Sequence, residues 1–410
     1  MNYFRFFISN RKILSFLILF TFFSGFGQTF VLSIYIPSFL SEFSISRTYF
    51  STLYSLATIL SGTSIIFAGK LIDRVSVKYF ALAVIAGLTV ANITAGLSFN
   101  ALSLFFAIFL LRFFGQGLST HTAFTTAGKY FKKTRGKALS IAYLGFPLSE
   151  GIMPGVVISS IMFFGWRETF HFTAIAFILI LLPLTLVLLN KFNPAKIKEE
   201  GFSNKKINSY KIVPDERIFS QKEIIRNRIF YLIAPMSFLV GFIITALFFF
   251  QTFIAEYKGW TIEWMALNIS VYAVSSFAFS ILAGPMIDRY TARKIFPFII
   301  LPVIVGFAVL IFFSHPYTAA LYWFFVGVTT GMNSTVSNAL YAEIYGKTSL
   351  GGVRSLFAFI MIIGTAMGPI IYSLLLDAGL SFSIINVIIS IIVMIYFTII
   401  ISSNKLSLEL

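Results

Sequence analysis

One hexapeptide occurs twice in the sequence, and the distance between the two copies determines how the chain is organised. Gly-Lys-Leu-Ile-Asp-Arg at residues 69–74 follows a long apolar run, and Gly-Pro-Met-Ile-Asp-Arg at residues 284–289 follows another. The copies agree at four of six positions and lie 215 residues apart in a chain of 410. A separation of about half the chain predicts a duplicated unit. Three more identities share this offset: Gly136 with Gly351, Ser140 with Ser355, and Pro154 with Pro369.

The composition predicts that the solvent of this protein is lipid. Hydrophobic residues make up 58% of the chain and charged residues only 11%, which is more apolar surface than a soluble core can hide. The chain has no Cys and three His, so it offers no thiolate nucleophile and little metal chemistry. We therefore expect no cofactor and no metal site.

Apolar runs long enough to cross a hydrocarbon core of ~30 Å recur along the chain. They predict an all-α membrane protein of about twelve transmembrane helices in two pseudo-symmetric six-helix bundles. The bundles are expected at residues 1–190 and 228–410, joined by a polar cytoplasmic linker at 191–227. The predicted spans are 13–40, 48–69, 79–98, 101–129, 136–163, 168–190, 228–256, 264–285, 295–314, 316–345, 350–376 and 381–403.

The distribution of basic residues predicts the orientation in the membrane. Of the 31 Lys and Arg residues, 27 fall on one side when the loops are assigned to alternating sides, and Arg47, Arg167 and Lys258 fall on the other. The positive-inside rule then places both termini in the cytoplasm, and we expect a multi-pass protein of the bacterial inner membrane. Because topology accounts for the net charge of +16, nucleic acid is discarded as a partner.

Several motifs resemble those of the major facilitator superfamily over essentially the whole chain. Residues 69–78 are similar to the signature loop between its helices 2 and 3, and Arg112 with Gly-Gln-Gly at 115–117 resembles its helix 4 motif. Residues 130–138 and 165–167 are more loosely similar to the monocarboxylate and oxalate/formate branch. The resemblance implies a secondary transporter in which helices 1, 4, 7 and 10 line a central cavity.

Arg112 and Glu150 are the two ionisable residues expected near the membrane centre. Arg112 lies about eleven residues into its span, or ~17 Å, where a cation costs at least ~2.5–3.5 kcal/mol. Glu150 lies midway along the next helix, within about one turn of the same level. Three readings stay open: a permanent ion pair, a proton-linked pair that substrate breaks, or no contact. A carboxyl buried without a cation binds a proton more readily, as proton coupling requires.

Polar stripes on several spans supply the candidate substrate-binding residues. At 100° per residue Arg112 and Gln116 share one face of the fourth span, and similar stripes occur on the first and tenth. Small and hydroxyl residues also serve helix packing in membranes, which is the alternative reading for each residue. The candidate set is Gln28, Tyr35, Arg112, Gln116, Glu150, Asn333, Ser337 and Asn338.

The two hexapeptide loops supply the candidate gating residues. In a facilitator-like arrangement Asp73 would face the cytoplasmic start of helix 11, and Asp288 that of helix 5, where the helix dipole attracts an anion. Such contacts would stabilise the state closed to the cytoplasm, each by about 1 kcal/mol. The alternative is that these charges only fix topology. The candidate gating set is Asp73, Arg74, Arg135, Asp288, Arg289 and Arg354.

These features predict a secondary active transporter, monomeric in the bilayer, that works by alternating access. Its partner is a small-molecule substrate, favoured as an organic anion such as a carboxylate because of Arg112, with protons as a candidate co-substrate. A multidrug or metabolite exporter of the same fold is the alternative. A membrane enzyme is disfavoured because the sequence has no catalytic constellation, and a channel because it has no repeated filter-like loop.

Overall fold

The computed structural model describes residues 3–131, 134–190, 219–346 and 350–403. The chain divides into two units, Met1–Lys211 and Ile212–Leu410. Most of the predicted linker, including its lysine-rich part at 191–218, lies outside the described residues. The last part of that predicted linker forms a short helix, Gln221–Arg226, which begins at a capping box between Ser220 and Glu223.

The first unit contains six long helical segments, α1 to α6. A short helix at Tyr3–Ser9 precedes them, and a turn of 3₁₀ helix at Gly69–Asp73 joins α2 to α3. The segments are α1, broken into Arg11–Gly27 and Thr29–Phe43; α2, Arg47–Ala68; α3, Val77–Gly96; α4, Ala101–Tyr130; α5, Gly136–Phe164; and α6, Trp166–Leu188.

The second unit also contains six, α7 to α12. The first of them is followed, after Phe250, by a further helix at Gln251–Lys258. The segments are α7, Arg228–Phe249; α8, Ile262–Tyr290; α9, Ala292–Phe312; α10, Thr318–Tyr345; α11, Leu350–Asp377; and α12, Phe382–Ser402.

Length and composition support the predicted membrane architecture. Within the described ranges, nine helices are long and apolar enough to cross a membrane, or ten if the bent pair that forms α1 is one span. Adding α2, with 22 residues, and α10, with 28, brings the number of long segments to twelve. The prediction of an all-α, multi-pass membrane fold is confirmed. Most observed bounds fall within a few residues of those predicted, but α7 ends at Phe249 where the prediction ended at 256, and α8 ends at Tyr290 where the prediction ended at 285.

The second hexapeptide is a correction to the sequence analysis. Residues 284–289 were expected to form a loop after the eighth span, but they lie inside α8, which continues to Tyr290. The helix ends where Thr291 takes a positive φ of 69°. The two copies of the hexapeptide therefore differ in conformation, because the first forms the 3₁₀ turn between α2 and α3.

Arg167 joins three segments of the first unit at one end of the bundle. Its guanidinium donates to the carbonyls of Gly96 and Ser98, at 2.9 and 2.6 Å, and to the Glu42 carboxylate at 3.0 Å. Gly96 is the last residue of α3, so this side chain satisfies carbonyls that the helix end leaves free. The Trp166 ring lies 4.2 Å from the guanidinium carbon and completes the contact.

Glycines bring helices of the first unit into backbone contact. A Cβ at Gly115 of α4 would lie 2.8 Å from both the Cα and the N of Gly27, at the break in α1. A Cβ at Gly145 of α5 would meet the Thr21 hydroxyl of α1, which donates to Ala142 O at 2.6 Å. In a membrane, where lipid is as apolar as leucine, such close approach is what drives helices together.

The second unit uses glycine in the same way. Gly364 and Gly368 of α11 pack on the backbone of α7 at Phe238 and Phe242. Gly327 of α10 packs on α8, where a Cβ would lie 3.1 Å from Ser276 N. The α7–α11 and α8–α10 pairs are thus held by surfaces that accept no added methyl group.

We expect Gly115→Ala to destabilise the protein by about 1–3 kcal/mol, because the atoms that the new methyl group clashes with are backbone atoms of Gly27. Gly155→Ala in α5 is the matched control, since a Cβ there meets nothing within 4 Å and helix propensity gains up to ~1 kcal/mol. Thermal unfolding of the purified variants in detergent measures both. Equal unfolding temperatures for Gly115→Ala and Gly155→Ala would contradict close backbone packing between α1 and α4.

Candidate substrate site

The first component of the site is a break in α1. Residues Ser24–Gly27 form a 3₁₀ turn, Gln28 is extended with φ −88° and ψ 157°, and the helix restarts at Thr29. The two parts of α1 are bent by 43°. A break inside a membrane span leaves backbone groups without their intrahelical partners, and these must be satisfied by neighbouring segments.

The second component is a π-helical stretch of α4. Leu111–Ser119 forms nine residues of π-helix. The polar stripe of this span was predicted with the periodicity of a regular α-helix, so the structure differs from the prediction here. Gly115 of this stretch touches Gly27 at the break in α1, so the irregular parts of the two segments face each other. π-Helical turns are rare and occur often at functional sites.

Arg112 connects the two components. Its side chain is 1% exposed, and its Nη1 donates to Gly27 O at 3.2 Å and to the Thr29 hydroxyl at 3.4 Å. The Tyr54 ring of α2 lies 5.0 Å from the guanidinium carbon, and the Tyr54 hydroxyl is 2.7 Å from that of Thr29. Every one of these partners is neutral.

The free edge of the Arg112 guanidinium is the chemically important feature. Within the part of the chain that the structure describes, Nε has no hydrogen-bond partner, and no carboxylate oxygen lies within 4.0 Å of the guanidinium nitrogens. Nε–H and Nη2–H form the side of a guanidinium that binds a carboxylate through two parallel hydrogen bonds. The site is thus a buried cation whose charge no described residue neutralises.

The ion pair between Arg112 and Glu150, one of the three readings, is absent. No Lys or Arg nitrogen among the described residues lies within 4.0 Å of the Glu150 carboxylate, which is half-buried on α5. Ser149, the preceding residue, is buried and points its hydroxyl at Gly25 of α1. Because successive helical residues point ~100° apart, Glu150 cannot share that direction, and the reading without contact describes this structure.

The other predicted residues of the first unit lie in two environments. Gln28 and Gln116 are half-buried beside the α1–α4 contact. Tyr35 is 1% exposed and stacks on Phe170, with ring centroids 4.2 Å apart, and on Phe39. The structure therefore brings Gln28 and Gln116 to the neighbourhood of Arg112 and places Tyr35 in an aromatic packing cluster.

The predicted residues of the second unit lie on α10. Ser337 donates to the side-chain oxygen of Asn333 at 2.8 Å, and exposed Asn338 donates to Ser334 O of its own helix at 2.6 Å. One turn further, the Tyr341 hydroxyl is 3.2 Å from that of Ser237 on α7. These polar groups follow one another along α10, and Tyr341 connects them to α7.

The predicted gating residues lie at the ends of the helices. Arg74, Asp288, Arg289 and Arg354 are exposed, and the side chains of Asp73 and Arg135 lie outside the described residues. The 3₁₀ turn at Gly69–Asp73 is held by α4, because His121 Nε2 is 3.0 Å from Gly69 O and Lys129 donates to Ile72 O at 3.4 Å.

Glu343 of α10 is a residue that sequence reasoning did not single out. Its carboxylate accepts the backbone N–H groups of Ala292 and Arg293 at 2.8 and 3.1 Å, and Arg293 Nη2 donates to its carbonyl at 2.9 Å. An anion at a helix start satisfies free N–H groups and complements the dipole. Glu343 therefore fixes the start of α9 to the end of α10.

Thr29 and Tyr54 were also missed. A signal for Tyr54 was available, since α2 carries buried Ser51, Ser55, Thr58 and Ser61 at helical spacing, which marks that face as buried and polar. No comparable signal pointed to Thr29, because its role depends on the break at Gln28.

The sequence was compared with family models and with curated proteins. The model of the Major Facilitator Superfamily matches residues 17–268 and, in a second match, residues 233–405. None of the curated proteins compared with the chain matches it significantly.

Solved structures with a similar fold include two transporters. A bacterial homologue of the human lysosomal transporter Spinster, inward-facing and unoccupied, has 16% identity and a TM-score of 0.69, over 90% of this chain and 83% of that one. The nucleoside transporter NupG has 13% identity and a TM-score of 0.71, over 96% of this chain and 98% of that one. At these identities the likeness concerns the fold.

Thr29→Val and Tyr54→Phe should each destabilise the protein by about 0.5–1.5 kcal/mol, because each removes the buried hydrogen bond between the two hydroxyl groups. In the double variant we expect the two losses to fall short of additivity by about 1 kcal/mol, since the same hydrogen bond is removed twice. Chemical unfolding of the single and double variants gives this coupling. Thr63→Val, at a hydroxyl that bonds only its own helix, is the control, and full additivity would contradict the network.

Proposed function

The chain belongs to the Major Facilitator Superfamily, and from that premise we propose that it moves a small organic anion across the bilayer by alternating access. Membership makes it a multi-pass membrane transporter. The anion, the coupling to protons and the sidedness form the proposal. Its main support is the buried, uncompensated guanidinium of Arg112.

A carboxylate is the anion that this guanidinium fits best. Nε and Nη2 are parallel donors, and a carboxylate accepts both in a bidentate pair that is shorter and stronger than a neutral hydrogen bond. The Nη1 side is already occupied by Gly27 O and the Thr29 hydroxyl, so the guanidinium is held in orientation before any ligand arrives. Pre-orientation lowers the entropy cost of binding.

Access to Arg112 requires a conformational change. The side chain is 1% exposed in this structure, so the described arrangement shields the guanidinium from both aqueous sides. Transport by alternating access supplies the opening, because the site is exposed to one side at a time. In the opened state, a substrate anion would pair with the Arg112 guanidinium, which in this structure donates hydrogen bonds to neutral partners.

Glu150 is the proposed proton carrier. It is the carboxyl group in the middle of α5, and no described cation pairs with it. A carboxyl in that environment holds a proton at little cost and releases it when water or a cation reaches it. Movement of an anion together with a proton would be electroneutral for a monocarboxylate.

The proposed location is the inner membrane of a bacterium with both termini in the cytoplasm. The excess of Lys and Arg on one side of the membrane supports this orientation. The nucleoside named for one similar structure belongs to that protein, and at 13% identity it carries no substrate argument for this chain.

A thermal-shift series should identify the substrate class. We expect at least one of acetate, lactate, oxalate and succinate to raise the unfolding temperature of the wild type, while uridine, glucose and tetraphenylphosphonium do not. Arg112→Gln should lose that shift, because the bidentate donor pair is removed, whereas Arg11→Gln, an exposed cation at the start of α1, should retain it. Stabilisation by the lipophilic cation that persists in Arg112→Gln would favour an exporter and overturn the proposal.

Proton coupling is tested in liposomes with the carboxylate so identified. We expect an imposed pH gradient to accelerate uptake by the wild type and to leave uptake by Glu150→Gln unaffected, because the amide cannot carry a proton. Counterflow without a gradient should survive in Glu150→Gln, which separates coupling from binding. If the variant responds to the gradient like the wild type, Glu150 is not the proton carrier.

A further inference from the structure

The outer face of the second unit carries an apolar groove between α9 and α12. Its volume is about 450 Å³, and its walls include Ile304 and Ala308 of α9 and Ile391 and Ile395 of α12. On α12 the lining extends from Val387 to Thr398, which spans about 17 Å at 1.5 Å per residue. This length is close to one leaflet of a hydrocarbon core ~30 Å thick.

The groove offers no free hydrogen-bonding group to a polar ligand. Its two hydroxyl side chains bond within their own helix, Ser390 to Asn386 O at 2.7 Å and Thr398 to Met394 O at 2.8 Å. At the end near the start of α9, the Phe298 and Phe397 rings meet with centroids 5.5 Å apart. The apolar walls therefore suit a hydrocarbon chain.

The open end of the groove is the end at Phe312 and Val387, near the end of α9. Near the end of α9, Trp260 Nε1 donates to Ser314 O at 2.8 Å and Trp264 Nε1 donates to Pro316 O at 2.7 Å. Trp residues concentrate at membrane–water interfaces, where one end of the ring is apolar and the other is hydrogen-bonded. A chain in the groove thus enters from the leaflet on the Trp260 side.

Lys258 places a positive charge at that open end. Its ammonium donates to Phe313 O at 3.0 Å and approaches the Ser314 hydroxyl at 3.5 Å, directly after Phe312, which lines the groove. An ammonium has three donors, and these contacts use two. Glu256 and Glu263 are near in sequence, but no described carboxylate oxygen lies within 4.0 Å of the Lys258 nitrogen.

We propose that this groove binds one acyl chain of an anionic glycerophospholipid, whose headgroup phosphate pairs with Lys258. The apolar walls fit the chain, the length fits one leaflet, and the lysine at the open end fits the headgroup. The site belongs to the second unit and is separate from Arg112. Lipid binding there stabilises the α9–α12 pair.

Native mass spectrometry of the delipidated protein tests this site with dioleoyl phosphatidylglycerol and dioleoyl phosphatidylcholine as probes. One lysine near the surface contributes about a fivefold preference for the anionic lipid, and we expect that preference in the wild type. Lys258→Gln should abolish the preference while keeping affinity for phosphatidylcholine. Lys222→Gln, an exposed lysine on the helix before α7, should leave the preference unchanged.

A second test of the lipid site fills the groove with larger side chains. Ala308→Trp and Ile391→Trp, one on each wall, should weaken binding of both lipids by about tenfold or more, whereas Val274→Trp, 69% exposed on α8, should not. A preference for phosphatidylglycerol that survives Lys258→Gln, or unaltered lipid binding in both groove variants, overturns the proposal. So does a wild-type dimer that the groove variants dissociate, because the occupant would then be a second copy of the chain.

Discussion

The first unit depends on holding the guanidinium of Arg112 in its interior, where no carboxylate of the described residues pairs with it. A cation at the centre of a span costs at least ~2.5–3.5 kcal/mol. Hydrogen bonds to a charged group contribute about 1.5–3 kcal/mol each, and a buried cation–π contact adds about 0.5–2 kcal/mol. The carbonyl of Gly27, the hydroxyl of Thr29 and the ring of Tyr54 therefore offset the cost of Arg112 while its charge stays available.

This arrangement explains why α1 and α4 are irregular at the same level. A regular α1 would use the Gly27 carbonyl within the helix, and a side chain at Gly27 or Gly115 would push the two backbones apart. The break in α1, the π-helical stretch of α4 and the two glycines together allow the close contact in which Arg112 reaches the Gly27 carbonyl. Elsewhere, glycine contacts such as Gly364 against α7 give close packing between regular helices.

The sequence predicted the fold well because its signals are strong and local. Apolar runs of about twenty residues and the asymmetry of basic residues indicate the membrane architecture without tertiary information. The site was harder to predict, because Thr29 and Tyr54 act through distances that no periodicity encodes. Arg112 was identified by its cost in lipid, whereas the level of Glu150 along α5 left open whether the two charges pair, because level alone does not fix the direction of a side chain. The final turns of α8 were misassigned because Asp288 and Arg289 match a loop motif in composition and adopt a helix in conformation.

The π-helical stretch also sets how α4 tolerates changes in length. Upstream of it, Arg112 must point at α1, and downstream of it, His121 and Lys129 must reach the turn that follows α2. A π-helical turn, with its i→i+5 hydrogen bonds, holds more residues than the α-helical turn it replaces. The stretch therefore lets α4 carry added length between Arg112 and His121, and both ends of the segment keep their separate contacts.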